Sequence, residues 1–120
     1  MKKIVYLALL LFPLSSFAQT GNCSGTVYDE LACTRLSLSA SKKALNVIYQ
    51  QIYASTQYKN ELEQSQKAWL AYRDKQCNGY IAAEAAEAQG EGAALITQDC
   101  LATLTRQRVE YLKTLVEQPR

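Results

Sequence analysis

The sequence contains no histidine, and no two of its four cysteines are spaced as C-x-x-C. A zinc site or a thiol redox centre is therefore poorly supported, because such centres use clustered histidine and cysteine ligands or paired thiols. A serine or cysteine nucleophile would also lack its usual histidine base. The sequence indicates no metal ion and no cofactor.

The N-terminus has the pattern of a secretory signal peptide covering residues 1–18. Two lysines precede an apolar run from Ile4 to Leu14, and Ser16 and Ala18 occupy the −3 and −1 positions of a cleavage site. The run is too short to cross a bilayer, which favours a cleaved signal over a retained membrane anchor. We therefore predict that the protein is periplasmic or secreted.

Cleavage after Ala18 would remove Lys2 and Lys3. The 13 basic residues would then fall to 11, which equals the number of acidic residues. A net charge near zero gives no basic footprint, so nucleic acid is not an expected partner, and nothing would hold the cleaved chain at a membrane. Residues 19–120 have the size of one domain.

Periodic apolar positions predict three helices, over about 27–54, 58–88 and 94–117. Thr26 and Asp29 have the spacing of a capping box at the first. The stretch 36–41 alternates like a strand, but it would have no strand to pair with, so we predict helix there. Asn78-Gly79 is a turn-forming pair that is compatible with a break in the second helix at this point. The glycine-containing loop 90–92 is expected to end that helix. Short turns between long amphipathic helices predict an all-α fold, a small antiparallel bundle of about three helices.

The four cysteines all lie in the exported part, and an even number in a small secreted chain predicts structural disulfides. Three connectivities are possible. In an antiparallel bundle the start of the first helix, the region of Cys77 and the start of the third helix gather at one end. We favour Cys23–Cys33 and Cys77–Cys100.

Two arginines lie on apolar helix faces. Gln66, Trp69 and Arg73 fall within about a quarter-turn of one another, and Arg108 shares a face with leucines and Tyr111. Such arginines are costly unless they are paired or lie along aromatic rings. We favour a structural role, with the stem buried and the guanidinium bonded to helix-end carbonyls or to a carboxylate. The alternative is an anion-binding site.

These residues resemble a known family, the LprI-type lysozyme-inhibitor domain. The run from Leu62 to Cys77 matches its pattern L-x-x-x-Q-x-x-W-x-x-Y-R-D-x-x-C, and Leu45-Asn46-x-x-Tyr49 matches its L-N-x-x-Y. A glycine-containing loop, Cys100 and the pair Thr105 and Arg108 continue the likeness over nearly the whole exported chain. Two departures are Lys42, where the family has aspartate, and the spacing of Gly90 and Gly92, where it has adjacent glycines.

The resemblance implies an exported all-α domain that is not an enzyme, with a c-type lysozyme as the partner of a founding member. It does not assign that partner to every member. The alternative is a periplasmic envelope or immunity-type interaction protein that binds something else.

One acidic tract offers a docking surface for such a partner. No basic residue lies between Lys75 and Arg106, whereas four carboxylates do. A solvated helix face would show the same pattern. The functional hypothesis is that the tract approaches a cationic protein and speeds association, with an exposed anchor such as Tyr80 or Ile81 adding buried area. The candidate partner-binding residues are Tyr80, Glu84, Glu87, Glu91 and Asp99.

Glycoside chemistry is the one enzymatic hypothesis the tract allows. Glu84 and Glu87 share a helix face and could act as a carboxylate pair. The same pair occurs on any solvated helix rich in alanine and glutamate, so we expect a binding protein and no catalytic residue.

Overall fold

The computed structural model describes residues 25–88 and 90–118. The predicted signal peptide and Cys23 lie outside these ranges. Within them the chain is helical, with no strand, which confirms the all-α prediction. The elements are α1 (Val27–Ser55), α2 (Lys59–Asp74), a π-helical segment (Lys75–Ile81), α3 (Ala82–Ala85) and α4 (Glu91–Glu117).

Helix α1 begins at the predicted capping box. The Thr26 hydroxyl accepts a hydrogen bond from the Asp29 amide at 3.3 Å, and the Asp29 carboxylate accepts one from the Thr26 amide at 3.3 Å. The strand-like stretch 36–41 lies inside this helix, as predicted. Leu38 is buried there while Leu36 is 74% exposed, because helical geometry turns residues two apart to different faces.

The turn from α1 to α2 spans residues 56–58 and is held by Lys59. Its ammonium donates to the carbonyls of Tyr53 at 2.6 Å and Thr56 at 2.7 Å, and it lies 4.9 Å from the centre of the Tyr53 ring. A cation at a helix C-terminus satisfies carbonyls that have no partner within the helix. The turn is short, and α2 begins directly after it at Lys59.

The second arm of the bundle is continuous through the region where a break was allowed for. Asn78 and Gly79 lie inside the π-helical segment, and the Ala82 amide at its end donates to the Cys77 carbonyl five residues earlier. A π-helical turn accommodates an extra residue without ending the helix. The arm ends after α3 in a turn, where the Ala88 amide donates to the Ala85 carbonyl at 2.8 Å.

Helix α4 begins at Glu91, so the prediction of a start near Ala94 and of a three-residue glycine loop was wrong. Gly90 alone lies outside the helix, at φ +68° and ψ −144°, a conformation that residues with a side chain rarely adopt. Gly92 lies in the first turn of α4. Sequence reasoning treated both glycines as breakers, but an isolated glycine is tolerated within a helix.

The core lies mainly between α1 and α4. Leu45, Ile48 and Ile52 from α1 cluster with Val109 and Leu112 from α4. Helix α2 has no fully buried residue and adds only partly buried side chains, including Leu62 and Trp69. The seam between α2 and α4 is therefore half-open to solvent, and both arginines predicted on apolar faces lie in it.

Contacts across that seam show that α2 and α4 are antiparallel. Arg73 on α2 bonds Thr105 on α4, whereas Gln66 on α2 bonds Arg108 on α4. Residue numbers therefore decrease along α2 as they increase along α4. This agrees with the predicted antiparallel bundle. None of the described helices is both long and apolar enough to cross a membrane.

Candidate functional site

A disulfide closes the acidic tract at its base. Cys77 and Cys100 are bonded, with their Cα atoms 5.5 Å apart, which confirms the predicted pair. Cys33 is also disulfide-bonded, and its predicted partner Cys23 lies outside the described residues. Residues 78–99, called here the closed segment, contain four acidic residues and no lysine or arginine. The whole segment therefore has a charge of one sign.

Local sequence explains the form of the closed segment, a short helical hairpin. Its first arm is rich in alanine, and Ala85 is 4% exposed where α3 packs on α4. Small side chains allow the two arms to approach closely, and the conformation of Gly90 reverses the chain between them. The hairpin projects its longer polar side chains outward.

The predicted partner-binding residues lie at different levels of this hairpin. Tyr80 is 58% exposed, and Glu84, Glu87 and Asp99 are also exposed. Glu91 is half-buried in the first turn of α4, where a carboxylate interacts favourably with the helix dipole. The structure thus places all five on one segment without gathering them into a single cluster. Among the described residues, no three metal-ligating side chains come together.

Two of these residues bond to each other. The Tyr80 hydroxyl donates to the Glu84 carboxylate at 2.7 Å across the junction of the π-helical segment and α3. This hydrogen bond, and then the charge of Glu84, raise the pKa of Tyr80. The pair fixes the direction of an exposed ring and of a carboxylate on one surface, which is a restraint that sequence spacing did not predict.

At the α2–α4 seam, Arg73 lies along Trp69 and reaches across to α4. Its guanidinium carbon is 5.2 Å from the centre of the indole, and its Nη1 donates to the Thr105 hydroxyl at 2.9 Å. Thr105 is fully buried and donates in turn to the Leu101 carbonyl at 2.6 Å. Arg73 is half-buried, and its hydrogen-bond partner on α4 is a neutral hydroxyl.

Arg108 approaches the same indole from α4. Its guanidinium carbon is 5.6 Å from the centre of Trp69 and 5.7 Å from that of Tyr111. Its Nε donates to the Gln66 side-chain oxygen at 3.1 Å and its Nη2 to the Ser65 hydroxyl at 3.4 Å. This answers why a glutamine occupies the apolar face of α2: it is the acceptor for an arginine on α4.

Neither arginine has a carboxylate partner in the described part of the chain, where the one ion pair joins Lys113 and Glu110 at 3.1 Å. Burial lowers the pKa of both arginines, and in Arg73 the charge of Asp74 acts in the opposite direction. The Nε of Arg73 is buried and has no hydrogen-bond partner. The predicted carboxylate or carbonyl partners were therefore wrong, and the charges are held by neutral groups and aromatic faces.

Sequence reasoning gave no role to Ser65, and Thr105 entered only through the family pattern. Thr105 is the deepest polar side chain of the seam, one helical turn after Leu101 and three residues before Arg108. A threonine between leucines on a helix face that also carries an arginine is a detectable signal, since a buried hydroxyl needs a partner.

The chain matches a protein-family model, whereas neither the curated proteins nor the solved structures yield a significant match. A family model described as lysozyme inhibitor LprI matches residues 21–112, which is most of the chain and includes both the closed segment and the arginine–tryptophan seam. On this match, the chain belongs to the LprI lysozyme-inhibitor family.

Proposed function

We propose that the protein is an exported inhibitor of c-type lysozyme that docks the closed segment against the enzyme. Membership of the family supports an inhibitor-like role and argues against an enzyme. The observation that carries the proposal is the charge of the closed segment, which has four carboxylates and no lysine or arginine. A disulfide holds the two ends of this segment together. The predicted signal peptide would place it in the periplasm or outside the cell.

The first step of docking is electrostatic. Lysozymes of the c-type are cationic, and a segment with charges of one sign steers an oppositely charged protein toward it. Glu84, Glu87 and Asp99 are exposed, so their charges act on the approaching partner through solvent. Such charges change the association rate more than the dissociation rate.

The second step is close contact at the tip and side of the hairpin. A Cβ added to Gly90 would meet no atom within 4 Å, so the backbone at this turn is open to a partner. Tyr80, with its hydroxyl held by Glu84, supplies an oriented aromatic ring, and tyrosine is enriched among residues that dominate binding energy. Together they provide a small contact surface within the acidic field.

The test is a charge-matched pair of triple variants. Replacing Glu84, Glu87 and Glu91 by glutamine removes three carboxylates from the closed segment. The control removes three carboxylates elsewhere and consists of Glu61, Glu110 and Glu117 replaced by glutamine. It also matches the helix-dipole effect, because Glu61 and Glu91 both lie in the first turn of a helix.

Association with c-type lysozyme is measured by surface plasmon resonance over a range of salt concentrations, beside a lytic assay. We expect the first variant to associate about tenfold more slowly and the control to behave as the wild type. The wild-type rate should fall with salt, because the Debye length is about 8 Å at physiological ionic strength.

If both variants associated with lysozyme equally slowly, the docking site would not be specific to the closed segment. Binding that is indifferent to salt would contradict the electrostatic step. If the oxidised wild-type protein neither binds nor inhibits lysozyme, the alternative of an envelope or immunity-type protein with another partner is favoured.

A further inference from the structure

The α2–α4 seam contains two positive charges that form no ion pair with a described carboxylate. Arg73 and Arg108 both lie over Trp69, at 5.2 and 5.6 Å from its centre. The nearest acidic neighbour in sequence, Asp74, accepts a hydrogen bond from Asn78 at 2.8 Å and makes no ion pair. Half-buried like charges that form no ion pair are unfavourable, so an anion bound beside them would be stabilised.

Each guanidinium is also incompletely bonded. Arg73 uses Nη1 for Thr105, and Arg108 uses Nε and Nη2 for Gln66 and Ser65. The Arg73 Nε is the one buried side-chain nitrogen or oxygen in the described residues that has no partner. Nη2 of Arg73 and Nη1 of Arg108 make no hydrogen bond with the described residues, and neither is among the buried atoms that lack a partner. Each guanidinium therefore keeps at least one donor that is not enclosed by the described residues.

The same contacts hold the donors in place. The Arg108 guanidinium lies 5.6 Å from the centre of the Trp69 ring and 5.7 Å from that of the Tyr111 ring, and its Nε donates to Gln66, which restrains its rotation. Tyr111 is 54% exposed, so the arrangement borders on solvent. A restrained arginine beside an exposed tyrosine and a half-buried tryptophan has the composition of a binding hot spot, and little conformational entropy is lost when it binds.

We propose that Arg108, held near Trp69 and Tyr111, forms a binding site for a carboxylate, with Arg73 near the same indole adding positive charge to the seam. A guanidinium presents planar paired donors that match the two oxygens of a carboxylate. A ligand of single charge suits the half-buried seam better than a phosphate, because desolvating a doubly charged group costs more. This site is separate from the closed segment and opposite to it in charge, so it does not depend on the proposed lysozyme docking.

The probe is acetate, titrated against the oxidised protein at constant ionic strength with chloride as the compensating ion. Two signals report on the site: the arginine Nε–H resonances in a nitrogen–proton correlation spectrum, and the fluorescence of Trp69, the chain's only tryptophan. We expect saturable changes in both with acetate and none when chloride alone is varied. A short peptide with a free C-terminus, compared with its amide, then tells whether the site also takes a peptide carboxylate or only a small acid.

Arg108→Gln should weaken acetate binding about tenfold, the loss expected for a charge-assisted hydrogen bond. Arg106→Gln is the matched control, since Arg106 is an exposed arginine of α4 that bonds Ser37 and Thr103 outside the seam. Arg108→Lys keeps the charge without the planar fork, so it should also bind acetate more weakly. It replaces Arg108→Gln as the test variant if Arg108→Gln is too unstable to measure.

Changes that do not saturate, that chloride reproduces, or that survive both Arg108 variants would overturn the proposal. The triple glutamine variant of the closed segment should bind acetate normally. A failure of lysozyme docking is therefore distinguishable from a failure of this site.

Discussion

The guanidinium of Arg73 donates a 2.9 Å hydrogen bond to the hydroxyl of Thr105, a side chain with no exposed surface. The same hydroxyl donates to the Leu101 carbonyl at 2.6 Å. One buried oxygen thus links α2 to α4 and uses both its donor and its acceptor capacity. Because α2 has no fully buried residue, this bond is one of the few specific contacts that position it.

Replacing Thr105 by valine should destabilise the protein by about 1–3 kcal/mol, since Arg73 would lose its acceptor while its Nε already lacks one. Thr105→Ser is the control, because it keeps the hydroxyl and removes only a methyl group. Chemical denaturation of both variants measures the difference. A valine variant as stable as the serine variant would show that the bond contributes nothing.

Arg73→Leu should destabilise the protein less than Arg73→Ala, by roughly 1 kcal/mol. Leucine keeps apolar contact with Trp69 and removes the unpartnered donor and the half-buried charge, whereas alanine leaves a gap beside the indole. Thermal melts of both variants provide the comparison. If alanine left the melting temperature unchanged, the stem of Arg73 would have no structural role.

Much of the fold could be predicted from the sequence because its determinants are local. The capping box at Thr26 and Asp29 and the apolar stripe of α1 depend on spacing within one helix. The errors arose where a local rule met a tertiary constraint. Gly92 has the residue type of a breaker, yet it lies in a helix, and of the two glycines only Gly90 lies in the turn.

The site was less predictable for a related reason. The acidity of the closed segment is a property of composition, so the sequence revealed it directly. The partners of Arg73 and Arg108 come from the opposite helix, 32 and 42 residues away in sequence. Helical periodicity could show that both arginines needed partners, but only the register of α2 on α4 selects Thr105 and Gln66.

Removing the Cys77–Cys100 disulfide should lower stability by about 3 kcal/mol, the loop-entropy effect for a sequence separation of 23. Replacing both cysteines by serine tests this, with denaturation followed by circular dichroism. Lysozyme association should also slow, because the closed segment would lose the restraint at its base. A double variant that matches the wild type in both respects would show that the disulfide contributes neither to stability nor to docking.

Two glycines of the hairpin should respond to alanine in opposite directions. Gly90→Ala should cost about 1–3 kcal/mol, because φ +68° with ψ −144° is strained for any residue with a side chain. Gly79→Ala should be neutral or stabilise by about 0.5–1 kcal/mol, since the residue is helical and a Cβ there would meet nothing within 4 Å. A Gly90→Ala variant as stable as Gly79→Ala would show that the turn conformation is not the reason Gly90 is glycine.

The Tyr80–Glu84 hydrogen bond should be visible in the alkaline titration of Tyr80. The bond, and secondarily the charge of Glu84, raise the pKa of Tyr80 above the ordinary tyrosine value of 10.0. A group whose pKa is raised in the folded state stabilises that state at pH values below its ordinary pKa. This contribution is lost as the pH rises through the raised pKa.

Glu84→Ala should return the pKa of Tyr80 toward 10.0, whereas Glu84→Gln, which keeps an acceptor without the charge, should give an intermediate value. Carbon NMR of labelled tyrosine, assigned with Tyr80→Phe, makes the measurement. A titration of Tyr80 that is the same in the wild type and in Glu84→Ala would show that the two side chains are not bonded in solution, and the docking surface would then lose its oriented ring.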